Sequence, residues 1–436
     1  MPFVRAIGRW TMTALVVNTI IGSGIFGVPS ELTRLLGRAS PLAFLFAALA
    51  MAVIMLCMAE VASQFSEPGG PYLYVRTAFG RFLGTQVAWF HLLTMIGSGA
   101  AGAALFMAYC SGFLPVAVHG GLRIALLAIV IIIPVMANYL GVRAGASFAS
   151  LLTIAKLLPL VLLIGFGIIR FSRHFEFLSL SDLASPTRTS WLTALLLLVF
   201  TYGGFEDALV PTGEVERPRY TVPFALIFGV LGCAIVYVLV QFVTVATIGT
   251  TPTDRPLAEA ASALMKGGGA IITIAVLIST YGTLSGCVLN CPRLVCSLSS
   301  QGDFPRFFGS LHPRFNTPTR AIVVYALLVW VLASSGTFVW AVMLSGGSAV
   351  LIYAGTSAAL IRLRRQNPNA DALRMPFEMT LAVLGIVVSL SFLTQLESRQ
   401  ALLMSMTALT AGANWWWANR RELQKPSPAG ATSASH

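Results

Sequence analysis

Charge is the scarcest property of this sequence. Asp, Glu, Lys and Arg make up 10% of its 436 residues, against about 25% in soluble domains. Hydrophobic residues make up 56% and the mean hydropathy is +0.81. A soluble fold cannot hide that much apolar surface, so the second solvent must be a lipid bilayer. Acidic residues are the fewest, 16 against 28 basic ones, which leaves a net charge of +12. The basic residues are scattered between apolar stretches, with no basic domain or arm. That distribution excludes nucleic acid as their partner. Cysteine is sparse as well. Cys57, Cys110, Cys233, Cys287, Cys291 and Cys296 all lie in apolar runs without a CxxC or Cys/His spacing. They read as small hydrophobes, and the neighbouring Cys287, Cys291 and Cys296 as helix packing and not a metal site. GxxxxGK[ST], HExxH and GxSxG are missing too. Their absence argues against an ATP-driven pump, a zinc protease and a serine hydrolase, and no cofactor is expected. No nucleophile–base pairing or ring of pore charges stands out, which argues against an enzyme or a channel.

What the sequence does have is apolar length. A hydrocarbon core of about 30 Å needs roughly twenty apolar residues per helix. That ruler predicts twelve spans, at 11–36, 40–65, 82–115, 122–140, 147–169, 189–213, 221–249, 267–298, 319–335, 337–361, 378–395 and 399–418. The N-terminal MPFVRAIGRW (1–10) runs into the first span without an A-x-A cleavage site, so it is read as retained ahead of helix 1. Residues 419–436, ending in PSPAGATSASH, are read as a disordered tail. Of the 28 Lys and Arg residues, 18 fall on the side of the N-terminus, 9 on the other side, and Lys156 on neither. By the positive-inside rule both termini are expected in the cytoplasm.

Two spans carry breaks. The first reads Asn18-Thr-Ile-Ile-Gly-Ser-Gly-Ile-Phe-Gly-Val-Pro-Ser-Glu31, interrupted by Gly22, Gly24, Gly27 and Pro29. The sixth reads Phe200-Thr-Tyr-Gly-Gly-Phe-Glu206, with Pro211 beyond it. Unwound backbone at membrane depth is tolerated only against protein or a water-filled cavity. Glycines that allow close helix packing are the plainer alternative. The breaks, however, fall at matching places in two five-helix halves, 11–169 and 189–361, with 378–418 added. An odd number of crossings inverts the second half, the layout in which paired broken helices build a midplane site. Freed N–H groups and the positive end of a half-helix suit a carboxylate. Freed carbonyls suit an ammonium, so the expected ligand is an α-amino acid.

GSGIF at 22–26, EVASQFSEPGGPYLY at 60–74, YGGFE at 202–206, GEVERPRYTVPFA at 213–225 and PRLVCSLSSQGDFP at 292–305 occur in order. With these blocks the chain resembles the amino acid–polyamine–organocation transporter superfamily, from about Arg9 to at least Arg365. The resemblance implies an all-α integral membrane fold with twelve transmembrane helices. These would form a leucine-transporter-like 5+5 inverted repeat with helices 1 and 6 broken and two helices added. It also implies that Gly22, Ser23 and Gly24 offer N–H groups to a substrate carboxylate. Carbonyls of Ile20, Phe200 and Gly203 would meet the substrate amine, and Phe200 would be an aromatic gate.

Lys156 lies in mid-span, where a charge costs about 2.5–3.5 kcal/mol on insertion scales, and is therefore a functional candidate. It resembles the helix 5 lysine that replaces a bound Na⁺ in sodium-independent members of the superfamily. Its expected neighbours are helix 1 carbonyls and a helix 8 hydroxyl, Thr283 or Ser285. Glu206 either handles a gate or proton or braces the break by a hydrogen bond; Asp207 has no assigned role. Glu60 reads as structural. Small residues Gly97, Ser98, Gly99 and Gly102, with Phe200, are expected to line a side-chain pocket with few ionisable groups. Together these readings predict a Na⁺-independent secondary transporter in the plasma membrane, favouring neutral amino acids. Proton symport and exchange both stay open, as does a cationic amino acid or polyamine as substrate; oligomeric state leaves no trace in the sequence.

Overall fold

The computed structural model describes residues 7–65, 70–113, 120–139, 146–171, 186–209, 215–305, 307–312, 314–315, 317–366, 372–375 and 377–423. The expected tail beyond 423 and the first six residues therefore lie outside the described residues. Helices come first as α1 (Arg9–Ile20), α2 (Gly24–Leu36), α3 (Ser40–Ala62), α4 (Gly70–Phe79), α5 (Arg81–Cys110), α6 (Gly120–Tyr139) and α7 (Ala146–Phe171). They continue as α8 (Arg188–Tyr202), α9 (Phe205–Ala208), α10 (Pro218–Ile248), α11 (Pro256–Leu264) and α12 (Gly268–Ser300). The last four are α13 (Thr319–Ser335), α14 (Phe338–Gln366), α15 (Glu378–Phe392) and α16 (Ser398–Leu423). Among the described residues the only bridge of β type is an isolated one, between Ile7 and Val215.

Among the described residues, seven stretches are long and apolar enough to cross a membrane: Gly24–Ala62, Arg81–Cys110, Gly120–Tyr139, Arg219–Ile248, Gly268–Ser300, Phe338–Gln366 and Glu378–Gln395. Thr319–Ser335 is apolar but shorter. Proline at the first turn of α3 and of α10 costs no hydrogen bond there and sets the helix start. Large apolar side chains point outward along α6 and α7, among them Ile132, Ile133, Val161 and Ile169, the last 74% exposed. Such a surface is far beyond what a soluble monomer shows and suits lipid contact.

The interior follows the same logic in reverse. Buried tyrosine hydroxyls would be orphaned in hydrocarbon, so they reach backbone carbonyls. Tyr109 donates to Phe26 O at 2.9 Å, Tyr202 to Phe44 O at 3.1 Å and Tyr325 to Met95 O at 3.1 Å. Small residues let helices close up. A Cβ on Gly97 would come 2.9 Å from Ser345 Cβ, one on Gly99 would strike Tyr325, and one on Gly102 would sit 3.5 Å from Thr280 O. These glycines therefore serve α5 packing against α14, α13 and α12, and not the side-chain pocket expected of them.

Two short helices, α4 and α11, were not expected from the hydropathy ruler, since each is too short to span. The quoted sequence blocks meet at the α4 end. Tyr72, Arg76 and Arg81 all converge on Asp303, which is 1% exposed. Glu60, fully buried, accepts from Arg364 Nε at 2.6 Å and from Met375 N at 3.1 Å. It ties α3 to the end of α14, in line with a structural part.

Candidate functional site

α1 stops at Ile20 and α2 begins at Gly24, so the ladder skips a turn. Gly22 N turns back to Ile20 O at 2.9 Å. The carbonyls of Asn18 and Ile21 instead face Lys156, whose Nζ donates to them at 3.3 and 3.1 Å. Lys156 is 3% exposed. An ammonium there satisfies backbone acceptors that the break leaves open. Tyr237 of α10 adds a second brace. Its hydroxyl lies 3.0 Å from Ile20 O and 3.4 Å from Thr201 O, one hydrogen shared between the two broken segments.

The second break is built around Gly204. α8 ends at Tyr202, Gly203 N returns to Phe200 O at 3.2 Å, and Gly204 takes φ +93° before α9. That angle favours a residue without Cβ. Glu206 Oε2 accepts from Gly204 N at 3.0 Å and from the Tyr353 hydroxyl at 3.1 Å. Tyr353 also stacks on Phe205, with ring centroids 5.5 Å apart. Glu206 thus braces the turn, one of the two parts considered for it. The two breaks press on each other. A Cβ on Gly204 would stand 2.7 Å from Thr19 O, and one on Gly24 would stand 2.7 Å from Thr201 Cα.

Between the breaks, α5, α12 and α14 lies a cavity of about 120 Å³. A single water needs about 10–15 Å³ of such space, so the cavity has room for a small polar solute. Ile20, Gly22, Ser23, Gly24, Lys156, Phe200, Gly203, Glu206 and Thr283 all reach its wall; Ser285 does not. Thr283 lies beside Gly22 but donates its hydroxyl to Ser279 O at 3.1 Å. The Ile20 carbonyl already accepts from Gly22 N and Tyr237, which uses both its lone pairs. Ser23 is 1% exposed and its Oγ has no partner, an unsatisfied donor at the start of α2.

Of the α5 small residues only Ser98 lines the cavity. Ser345 donates to Thr94 O at 2.9 Å and so accepts from Ser98 at 3.1 Å. The wall also carries more ionisable groups than expected: His91 and Asp207 join Lys156 and Glu206. His91 Nε2 and Asp207 Oδ1 are 3.0 Å apart. The test that singled out Lys156, an ionisable residue deep in an apolar run, applies equally to His91 in Trp89-Phe-His-Leu-Leu93. Tyr237 and Tyr353 carried no comparable signal. Among the described residues no group of His, Cys, Asp and Glu could hold a metal ion.

The family model described as amino acid permease matches residues 7–419. The serine/threonine exchanger SteT of Bacillus subtilis is 26% identical over 346 residues, 76% of this chain and 77% of that protein. The large neutral amino acids transporter small subunit 2 of Oryctolagus cuniculus is 27% identical over 385 residues, 84% of this chain and 71% of that protein. An uncharacterized transporter of Mycobacterium bovis is 25% identical over 377 residues, 82% and 80% of the two chains. The chain therefore belongs to the amino acid permease family of the amino acid–polyamine–organocation superfamily, and is a multi-pass membrane transport protein.

Proposed function

We propose that the chain is a secondary transporter that carries amino acids across the plasma (inner) membrane without Na⁺, by proton-driven uptake. It would do so through twelve crossings in two inverted five-helix repeats plus two helices, with both termini in the cytoplasm. The observation that carries this reading is Lys156. Its ammonium bonds the open carbonyls of the first break, where a hard cation would otherwise be needed to satisfy them. The ammonium is tethered to the chain, so no sodium gradient can be harvested through it.

Substrate recognition follows from the remaining free groups. A carboxylate placed at the start of α2 meets N–H groups of Ser23 and Gly24, the positive end of a helix dipole, and the unpaired Ser23 hydroxyl, while the expected Gly22 N–H is turned back to Ile20 O. An ammonium is left the carbonyls of Phe200 and Gly203, since that of Ile20 is engaged twice. Phe200, at the end of α8, then covers the bound molecule. Lys156, Glu206 and the His91–Asp207 pair each have partners within the protein. A charged substrate side chain would have to displace one of them, and a neutral one need not.

Exchange of one amino acid for another is the second reading, favoured by the name of the relative from Bacillus subtilis. Proteoliposomes separate the alternatives. Uptake of labelled serine, threonine or leucine into vesicles loaded with the same amino acid, without Na⁺, should proceed. Uptake into empty vesicles driven by a pH gradient marks symport, and a strict need for internal substrate marks exchange. Displacement of the label only by arginine, lysine or putrescine contradicts the neutral preference.

A further inference from the structure

We propose that His91 and Asp207 form the proton-binding site of the transport cycle, an inference that rests on the proton-driven reading above. The pair spans the cavity wall. His91 belongs to α5, which packs on α4, α6, α12, α13, α14 and α16. Asp207 sits on the short α9, directly beyond the left-handed turn at Gly204. Nothing but the 3.0 Å contact joins the two side chains.

The chemistry of the contact fixes where the proton goes. An ionised carboxylate only accepts hydrogen bonds, so Nε2 must carry a hydrogen towards Asp207. Nδ1 is then the nitrogen that gains or loses a proton. His91 is 3% exposed, while the Asp207 side chain keeps 20% exposure and both line the cavity, so cavity water has a path to the pair.

A carboxylate in direct contact with the ring favours its protonated form. Glu206, beside Asp207, is engaged by Gly204 N and the Tyr353 hydroxyl. Lys156 faces the same cavity from α7. From α12 the groups near the pair are Cys287 and Cys291, from α13 Tyr325, and from α14 Tyr353; Arg76 of α4, which also packs on α5, is paired with Asp303.

The pair also contains its own release. Any motion that carries the Gly204 turn away from α5 separates Asp207 from His91. The imidazolium then loses its counter-charge and returns its proton to the water that enters the opened cavity. The proton and the amino acid meet at one place, since the Gly204 turn both packs on Thr19 of the first break and positions Asp207.

The test uses full-length protein in Na⁺-free proteoliposomes, with labelled serine, threonine or leucine, whichever gives the largest counterflow. Counterflow at equal pH is measured in the same vesicles for each variant and serves as the denominator. With one proton per substrate, a gradient of one pH unit, alkaline inside, drives about tenfold accumulation. Wild type should approach that value, and a dye in the lumen should report acidification on adding substrate outside. His91→Gln, which keeps an N–H for Asp207, should lose the response to the gradient, its ratio to counterflow falling to about one. Asp207→Asn should move the fall of uptake with rising outside pH to lower pH, because the imidazolium loses its partner charge. Gradient-driven accumulation that survives His91→Gln overturns the proposal, whereas wild type that exchanges substrate without moving protons contradicts the proton-driven reading beneath it. Wild type that shows no counterflow of any amino acid contradicts the transport reading instead.

Discussion

A methyl group added at each glycine of the two breaks gives a graded perturbation whose size follows from the structure. At Gly22 the new carbon meets Thr283 Oγ1 at 3.4 Å, an ordinary contact, and the residue keeps its N–H. At Gly24 it would stand 2.7 Å from Thr201 Cα and 2.9 Å from Thr201 Oγ1. Backbone cannot swing aside as a side-chain tip can, so the start of α2 must move away from α8. Overpacking of this kind costs about 1–3 kcal/mol, roughly a 5- to 150-fold change in an equilibrium constant. At Gly204 the methyl meets Thr19 O at 2.7 Å and the residue must also hold φ +93°. The left-handed conformation adds about 1–2 kcal/mol for a residue with Cβ. The expected order of damage is Gly22→Ala, then Gly24→Ala, then Gly204→Ala. Substrate affinity from counterflow is the readout, with thermal stability in detergent measured alongside to separate misfolding from a displaced site. If Gly24→Ala and Gly204→Ala bind substrate as wild type does, the two breaks do not form the site.

Ser23→Ala should be milder, because the backbone N–H survives. Losing one hydroxyl contact costs about 0.5–1.5 kcal/mol, a two- to tenfold rise in the substrate KM, with stability of the substrate-free protein unchanged or higher. Replacing Arg364 by Met strips Glu60 of its buried partner, which should destabilise the protein by about 3–5 kcal/mol; an unchanged melting temperature would contradict that. Tyr237→Phe removes the hydroxyl shared by Ile20 O and Thr201 O. It should lower stability by about 1 kcal/mol and weaken substrate binding as well, both readable in one thermal-shift titration.

The features legible in the sequence were those written in local chemistry. Glycines at 22, 24, 203 and 204 mark the points where the helices stop, because few other residues permit the turn or the close approach. Lys156 was legible because one charge in an apolar run needs a reason. Which α5 residues face the cavity was not legible. The helix is apolar or small on every side, so the period of 3.6 carries no signal, and Ser98 cannot be told from Gly97 or Gly99 beforehand. The His91–Asp207 pair was out of reach for another reason. Its members are 116 positions apart, and only the fold brings α5 to the Gly204 turn. Tyr237 and Tyr353 resemble any other buried tyrosine until their hydroxyls are seen on Ile20 O and Glu206.

The central claim is that the ammonium of Lys156 stands where a sodium ion would otherwise hold the first break, so that transport runs without sodium. Initial-rate uptake of a labelled amino acid into substrate-loaded vesicles, for wild type and Lys156→Met with and without Na⁺, tests it most directly. The wild-type rate should be indifferent to Na⁺ and the variant's rate should collapse, because the carbonyls of Asn18 and Ile21 are left without a donor. Strict Na⁺ dependence of the wild type, or a Lys156→Met rate equal to it, would contradict the account.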